Sequence, residues 1–156
     1  MKNTTLCYIQ DGSRYLMLHR VKKKEDLNQG KWIGIGGKFE EGESPDDCLL
    51  REVREETGLT LTDYALRGIV TFVSQRWETE QMFLYTARGF TGQVQDCEEG
   101  VLAWQEISQI PKLPLWEGDK IFLDLLGKDA PFFCLKLCYD EDDRLTEAVL
   151  NGKKLL

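Results

Sequence analysis

Three glutamates, Glu52, Glu55 and Glu56, lie three and four residues apart in the stretch SPDDCLLREVREETGL, residues 44–59. In a helix, at about 100° per residue counted from Asp46, they share a flank between about 180° and 280°. Leu49, Leu50, Val53 and Thr57 fall beside them, between about 300° and 40°, as a core stripe. Arg51 and Arg54 lie further round, towards solvent. Like charges at these spacings repel, and Glu55 and Glu56 sit near the helix C-terminus, where the dipole disfavours anions. One reading is a solvated charged face with the two arginines offsetting the acids. The other is a hard-cation site, because clustered carboxylate oxygens suit Mg²⁺ or Mn²⁺. Mg²⁺ also takes substrate phosphates as ligands, which ties such a helix to a phosphorylated substrate.

The elements that must position these acids are marked in the sequence. Ser44 is a good N-cap, Pro45 suits the first helical position, Asp46 and Asp47 favour the first turn, and Gly58 fits just past the end. Gly36-Gly37-Lys38 precedes the helix-entry loop, where two glycines let backbone approach an ion or phosphate and Lys38 adds a cation. Upstream, TLCYIQ and RYLMLHR read as strands joined at Asp11-Gly12-Ser13, followed by a polar loop over residues 21–31 and a short apolar strand, WIGIGG. Downstream, residues 65–74, 79–88 and VLAWQEI read as strands, and EGDKIFLDLLGK as a second helix ended by Gly127. PFFCLKLCYD, a turn at 140–143 and RLTEAVL read as a closing hairpin. Strands in runs, without strict βαβ alternation, predict a mixed sheet with helices packed on it.

Composition narrows the function. The 156 residues suit one domain, and 42% hydrophobic with 30% charged residues is a globular mixture that excludes a disordered or collagen-like chain. The net charge of −7 argues against a general nucleic-acid binder, which should be basic. The same charge repels anions, so a phosphorylated ligand needs a metal or a few placed Arg and Lys. No apolar run approaches a membrane span, and the opening MKNTTLCYIQDG has no basic region before an apolar stretch. The five cysteines, Cys7, Cys48, Cys97, Cys134 and Cys138, form no CxxC pair and read as reduced thiols, so a cytoplasmic location is expected. His19 is the only histidine; a Ser–His triad is a poor reading, and a strand-end surface role suits it better.

GKFEEGESPDDCLLREVREETGL, residues 37–59, resembles the Nudix box of the Nudix hydrolases. Gly37, Glu43, Arg51, Glu52, Val53, Glu55, Glu56, Gly58 and Leu59 fill its defining positions. The LMLHR strand, the KWIGIGGK approach, VLAWQEI, the LWEGD segment and the closing hairpin are similar to the MutT-type branch, the MutX-like 8-oxo-dGTP diphosphatases in particular. The resemblance implies an α/β protein with the Nudix fold: an α/β/α sandwich around a mixed sheet, the box forming loop–helix–loop, in a single domain over residues 1–156. It implies a hydrolase splitting a nucleoside triphosphate, 8-oxo-dGTP or a dGTP-like purine, into monophosphate and pyrophosphate with Mg²⁺, Mn²⁺ being an alternative.

By motif position, the resemblance makes Glu52, Glu55 and Glu56 metal ligands with the Gly37 carbonyl. A distant acid completes the site in relatives; Glu98 and Glu99 compete for that role, and Glu99 is favoured. Glu43 and Arg51 look structural, a pair holding the box loop on its helix. Glu52, Glu55 or Glu56 serves as general base, and coupled protonation keeps that choice open. Arg20 and Lys38 are the candidates for phosphate contacts. For the base, relatives use a Trp and an acid near WEGD: Trp116 to stack, Asp119 to bond the base edge as a protonated donor, and Phe72 as a further pocket wall. Ordinary core packing is the competing role for Trp116 and Phe72. Some animal relatives carry Asn where this chain has Ile33, which neither donates nor accepts through its side chain. The expected partner is a nucleoside triphosphate, with no membrane and no stable nucleic-acid partner, for a monomer or homodimer. The alternatives are the same chemistry on ADP-ribose, a dinucleoside polyphosphate or a 5′-triphosphate RNA end, and a non-catalytic nucleotide-binding module.

Overall fold

Strands β1 (Lys2–Asp11) and β2 (Arg14–His19) meet through the Gly12-Ser13 turn, where Gly12 takes φ +60°, and pair from Asp11↔Arg14 to Ile9↔Leu16. This is the hairpin expected from Asp-Gly-Ser. The structure, a computed structural model, describes residues 1–22 and 26–156. The loop expected over 21–31 therefore has residues 23–25 outside the described residues, and its remainder is free of helix and strand.

Beyond the turn β1 and β2 diverge, and the segment from β3 (Trp32–Ile33) to Phe39 fills the split. It pairs with Leu18 and His19 on one side. On the other it joins β1 through Cys7 N–H to Ile35 O at 2.6 Å, Thr5 N–H to Gly37 O at 2.9 Å and Phe39 N–H to Asn3 O at 3.1 Å. Next come α1 (Pro45–Thr57), β4 (Thr60–Ser74), β5 (Glu80–Thr91) and β6 (Val101–Glu106), a 3₁₀ turn over Ile107–Lys112, α2 (Asp119–Gly127), β7 (Phe133–Tyr139), β8 (Leu145–Leu150) and β9 (Lys153–Lys154). The described strands form one sheet in the order β3-β2-β1-β5-β4-β7-β8-β9, with β6 along β2. β1–β5 and β4–β7 are parallel and the other pairs antiparallel, which makes the sheet mixed.

Alternation along the strands gives each face its own core. Cys7, Ile9, Leu16 and Leu18 pack with Leu49 and Val53 of α1. Leu6, Tyr8, Tyr15 and Met17 pack with Phe122 and Leu126 of α2. One helix on each face is the α/β/α layering. Leu49 and Val53 are fully buried, each worth about 1.5–3 kcal/mol, so α1 is seated by the stripe read from its periodicity.

Several boundaries differ from expectation. β4 starts at Thr60, soon after the helix, because three register shifts let an irregular stretch continue pairing with β5. α2 starts at Asp119, two residues later than the expected EGDK segment, and ends at Gly127 as expected, with the left-handed turn at Asp129, φ +52°. The 3₁₀ turn and the short β9 have no clear local signal. No helix among the described residues is long and apolar enough to cross a membrane.

Candidate active site

Both ends of α1 form as the caps dictate. Ser44 Oγ accepts from Asp47 N–H at 3.1 Å, and the Asp47 carboxylate accepts from Ser44 N–H at 3.0 Å. Gly58, φ +81°, closes the other end by donating to Arg54 O at 2.9 Å. The first turn is tied to the sheet by Tyr85 Oη donating to Asp46 Oδ1 at 2.6 Å.

The Gly36-Gly37 pair passes between β1 and α1 with no room for a side chain. A Cβ at Gly36 would stand 1.8 Å from Thr5 O, and one at Gly37 2.5 Å from the Glu52 carboxylate. Arg51 fastens this segment to the helix. Its Nε and Nη2 donate to Glu43 at 2.7 and 2.8 Å, Nη2 to Lys38 O at 3.0 Å and Nη1 to Glu52 at 2.8 Å. Arg51, with the Glu40 N–H, lowers Glu43 to about 2. Glu43 and Arg51 thus hold the box loop as expected.

A cavity of about 340 Å³ opens where β1 and β2 split. Glu52, Glu56 and Glu99 line one part of it with Gly37, Lys38 and Arg20; Phe72, Trp116 and Asp119 line another. Glu55 is not in this wall: its side chain is 60% exposed and reaches Arg51 Nη1 at 3.2 Å. Of the two distant acids, Glu99 lines the cavity and Glu98 is exposed.

The acids crowd one another. Burial, then Glu52 and Glu99, push Glu56 up to about 9, although Gly36 N–H donates to it at 3.1 Å. Burial also raises Glu52, against Arg51. Such crowding suits a divalent cation, because each carboxylate gains from a shared positive charge. Glu52, Glu56 and Glu99 offer oxygen ligands of the kind Mg²⁺ takes. The Gly37 carbonyl already accepts from Thr5 N–H at 2.9 Å, with Cys48 Sγ at 3.5 Å, leaving it limited spare capacity. Among the described residues no three His, Cys, Asp or Glu side chains are gathered in ligand geometry as they stand. Arginines hold the acids instead: Arg51 takes Glu52, and Arg20 Nη1 donates to Glu99 at 2.8 Å. Arg20 is also held by Asp26, Nε to Oδ2 at 2.6 Å. A cation at Glu99 would therefore have to compete with Arg20 for that carboxylate.

In the other part of the cavity, Tyr139 Oη accepts from Gly118 N–H at 2.8 Å and so fixes the start of α2. Burial raises Asp119 to about 8, with Lys31 opposing. Phe72 and Tyr139 meet Trp116 with ring centroids at 5.2 and 4.8 Å. Lys31 Nζ lies 4.5 Å from the Trp116 centroid, over the ring face. Sequence reasoning missed Asp26, Leu27 and Asn28, which line the cavity from the polar loop. Their order and composition carry no signal of a ligand.

Residues 2–126 match the NUDIX domain family. The Nudix hydrolase YvcI of Bacillus subtilis is 35% identical over 136 residues, 82% of this chain and 80% of that protein. An oxidized purine nucleoside triphosphate hydrolase of Mus musculus is 30% identical over 124 residues, 79% of each chain. A MutT protein of Bacillus halodurans superposes with a TM-score of 0.87 at 26% identity, over 97% of this chain and 98% of its own.

Proposed function

The chain belongs to the Nudix family, enzymes acting on phosphoric anhydride bonds, and from that premise we propose that it hydrolyses oxidised purine nucleoside triphosphates, 8-oxo-dGTP foremost, to monophosphate and pyrophosphate. The observation that carries this reading is one cavity lined by both the acid cluster and the Trp116–Asp119–Phe72 group. A polyphosphate and a purine therefore have neighbouring walls of suitable chemistry. The relatives of Mus musculus and Danio rerio, named as oxidized purine nucleoside triphosphate hydrolases, support the substrate class.

Glu52, Glu56 and Glu99 hold the cation, Mg²⁺ or in its place Mn²⁺, with the Gly37 carbonyl beside them. The cation supplies neutralisation of the triphosphate charge and of the charge developing in the transition state. Arg20 and Lys38 bind phosphate oxygens. Water adds to a phosphorus of the anhydride, its proton passes to a carboxylate of the cluster, and the bridging P–O bond breaks to release monophosphate and pyrophosphate. Glu55, on the same helix beside Arg51, extends the negative field at the mouth. Trp116 and Phe72, packed edge to face, form the aromatic wall beside the base, and Asp119, protonated by burial at neutral pH, donates to its edge. The work of such an enzyme is to clear the nucleotide pool of the cytoplasm before oxidised bases reach DNA.

The test is turnover of 8-oxo-dGTP, dGTP, ADP-ribose and a dinucleoside polyphosphate, with and without Mg²⁺. Pyrophosphate released fastest from 8-oxo-dGTP, only with metal, is expected. A preference for ADP-ribose or the dinucleoside polyphosphate overturns the substrate assignment.

A further inference from the structure

The indole N–H of Trp116 donates to Asn28 Oδ1 at 2.8 Å. An indole nitrogen only donates, so the amide oxygen must face it, and this fixes which way the Asn28 amide is turned. The Asn28 main-chain N–H is held by Asp26 Oδ1 at 3.2 Å, and Asp26 is anchored by Arg20. The Asn28 main-chain carbonyl accepts from Lys31 N–H at 2.8 Å. The residue is thus clamped by both its main chain and its side-chain oxygen. It lines the cavity together with Ile33, Trp116 and Asp119. Among the described residues no group accepts a hydrogen bond from Asn28 Nδ2. Ile33 offers no polar group through its side chain, so the two amide hydrogens of Asn28 are a principal donor on this wall.

We infer that Asn28, oriented by Trp116, selects purines by the exocyclic oxygen on their edge, favouring a ring carbonyl over an amino group at the position it faces. This rests on reading the cavity as a purine nucleotide site. A carbonyl accepts from Nδ2–H; an amino group presents a second donor, leaving two donors opposed and both unsatisfied, the kind of mismatch by which hydrogen-bonding sites discriminate. Trp116 is a positioning residue here: without its N–H, the amide is free to turn and present its oxygen instead.

The experiment measures kcat/KM with Mg²⁺ for dITP, which carries a 6-oxo group alone, 8-oxo-dATP, which carries 8-oxo with 6-amino, and dATP, which carries neither oxygen. These arms distinguish the 6-carbonyl from the 8-carbonyl. Asn28→Ala is expected to lower the oxo-to-amino preference roughly tenfold. Asn28→Asp, which keeps an acceptor for Trp116 and turns a second acceptor to the ligand, is expected to shift the ratio further, towards dATP. Trp116→Phe keeps a ring but removes the donor; it should relax the ratio while Asn28 is still present, and adding Asn28→Ala to it should change the ratio little further. A general loss of folding lowers all three substrates together and leaves the ratios alone. Unchanged ratios in both Asn28 variants, with the parent protein active, overturn the inference and leave the proposed function standing. No turnover of any triphosphate by the parent protein overturns both.

Discussion

A methyl group added at Gly37 separates the metal site from the fold. The new Cβ would stand 2.5 Å from Glu52 Cδ and 2.5 to 2.6 Å from its two oxygens. Comfortable contact is about 3.5 Å, so the carboxylate must retreat by roughly 1 Å. Gly37 does not have positive φ, so alanine fits its backbone, and the group that yields is the end of a flexible side chain. The fold should therefore survive Gly37→Ala with a cost within about 0.5 kcal/mol. Function should not: a displacement of about 1 Å at a reacting centre costs about 100-fold. Gly36→Ala is the control, because its Cβ would lie 1.8 Å from Thr5 O and 2.6 Å from Thr5 C, atoms of the backbone of β1. That strain should cost about 1–3 kcal/mol or more, lowering Tm by several degrees. The assays are calorimetric Tm, Mn²⁺ affinity by isothermal titration and kcat/KM on 8-oxo-dGTP. Gly37→Ala with the parent's metal affinity and turnover refutes Glu52 as a ligand, and Gly37→Ala as unstable as Gly36→Ala refutes the distinction between the two glycines.

Three other outcomes follow from the same geometry. Asp119 keeps its proton up to about pH 8 in the folded state against an ordinary value of 3.8, so the unfolded chain loses that proton first as pH rises. Stability from this group is complete below about pH 4 and falls, by up to tenfold in the folding equilibrium per pH unit, until about pH 8. Lys31, Glu80, Tyr8 and Tyr139 face Asp119 and are unchanged by Asp119→Asn, which should make urea-unfolding stability fall less steeply over that window, the share of Glu56 remaining; an equally steep profile contradicts it. Glu56→Gln should cut turnover by several powers of ten yet raise the Tm of the metal-free protein, since it removes a carboxylate crowded by Glu52 and Glu99; a lower Tm speaks against that crowding. Leu49→Ala, at a fully buried site under α1, should cost about 2–5 kcal/mol by denaturant titration, and a cost under 1 kcal/mol would mean that α1 is not seated by this stripe.

What the sequence made legible is what local rules govern. Ser44, Pro45 and Gly58 set the ends of α1, and a 3.6-residue period set its buried face, because caps and periodicity act within a few residues. The acid flank was readable for the same reason, as was the Asp11-Gly12-Ser13 hairpin. The hidden parts depend on distant chain segments. Arg20 meets Glu99, and Trp116 meets Asn28, across separations of 79 and 88 residues, and only the splitting of β1 from β2 brings them to one cavity. Arg20 looked like a phosphate contact; nothing near it in sequence announced that Glu99 would hold it. Glu55, indistinguishable from Glu52 and Glu56 by type and spacing, is 60% exposed, although the same Arg51 Nη1 that it meets at 3.2 Å also holds Glu52, which lines the cavity. β4 extended beyond the expected 65–74 because its irregularities are tolerated by pairing with β5, a property of two strands together.

The account rests on glutamates of α1 and Glu99 gripping a divalent ion against a polyphosphate. Mn²⁺ binding followed by electron paramagnetic resonance, with and without an α,β-methylene nucleoside triphosphate, tests this most directly in the parent protein and Glu56→Gln. The expected result is that nucleotide tightens Mn²⁺ binding in the parent and that this gain vanishes in the variant. An equal gain in Glu56→Gln, or no effect of nucleotide on Mn²⁺ in the parent, contradicts it.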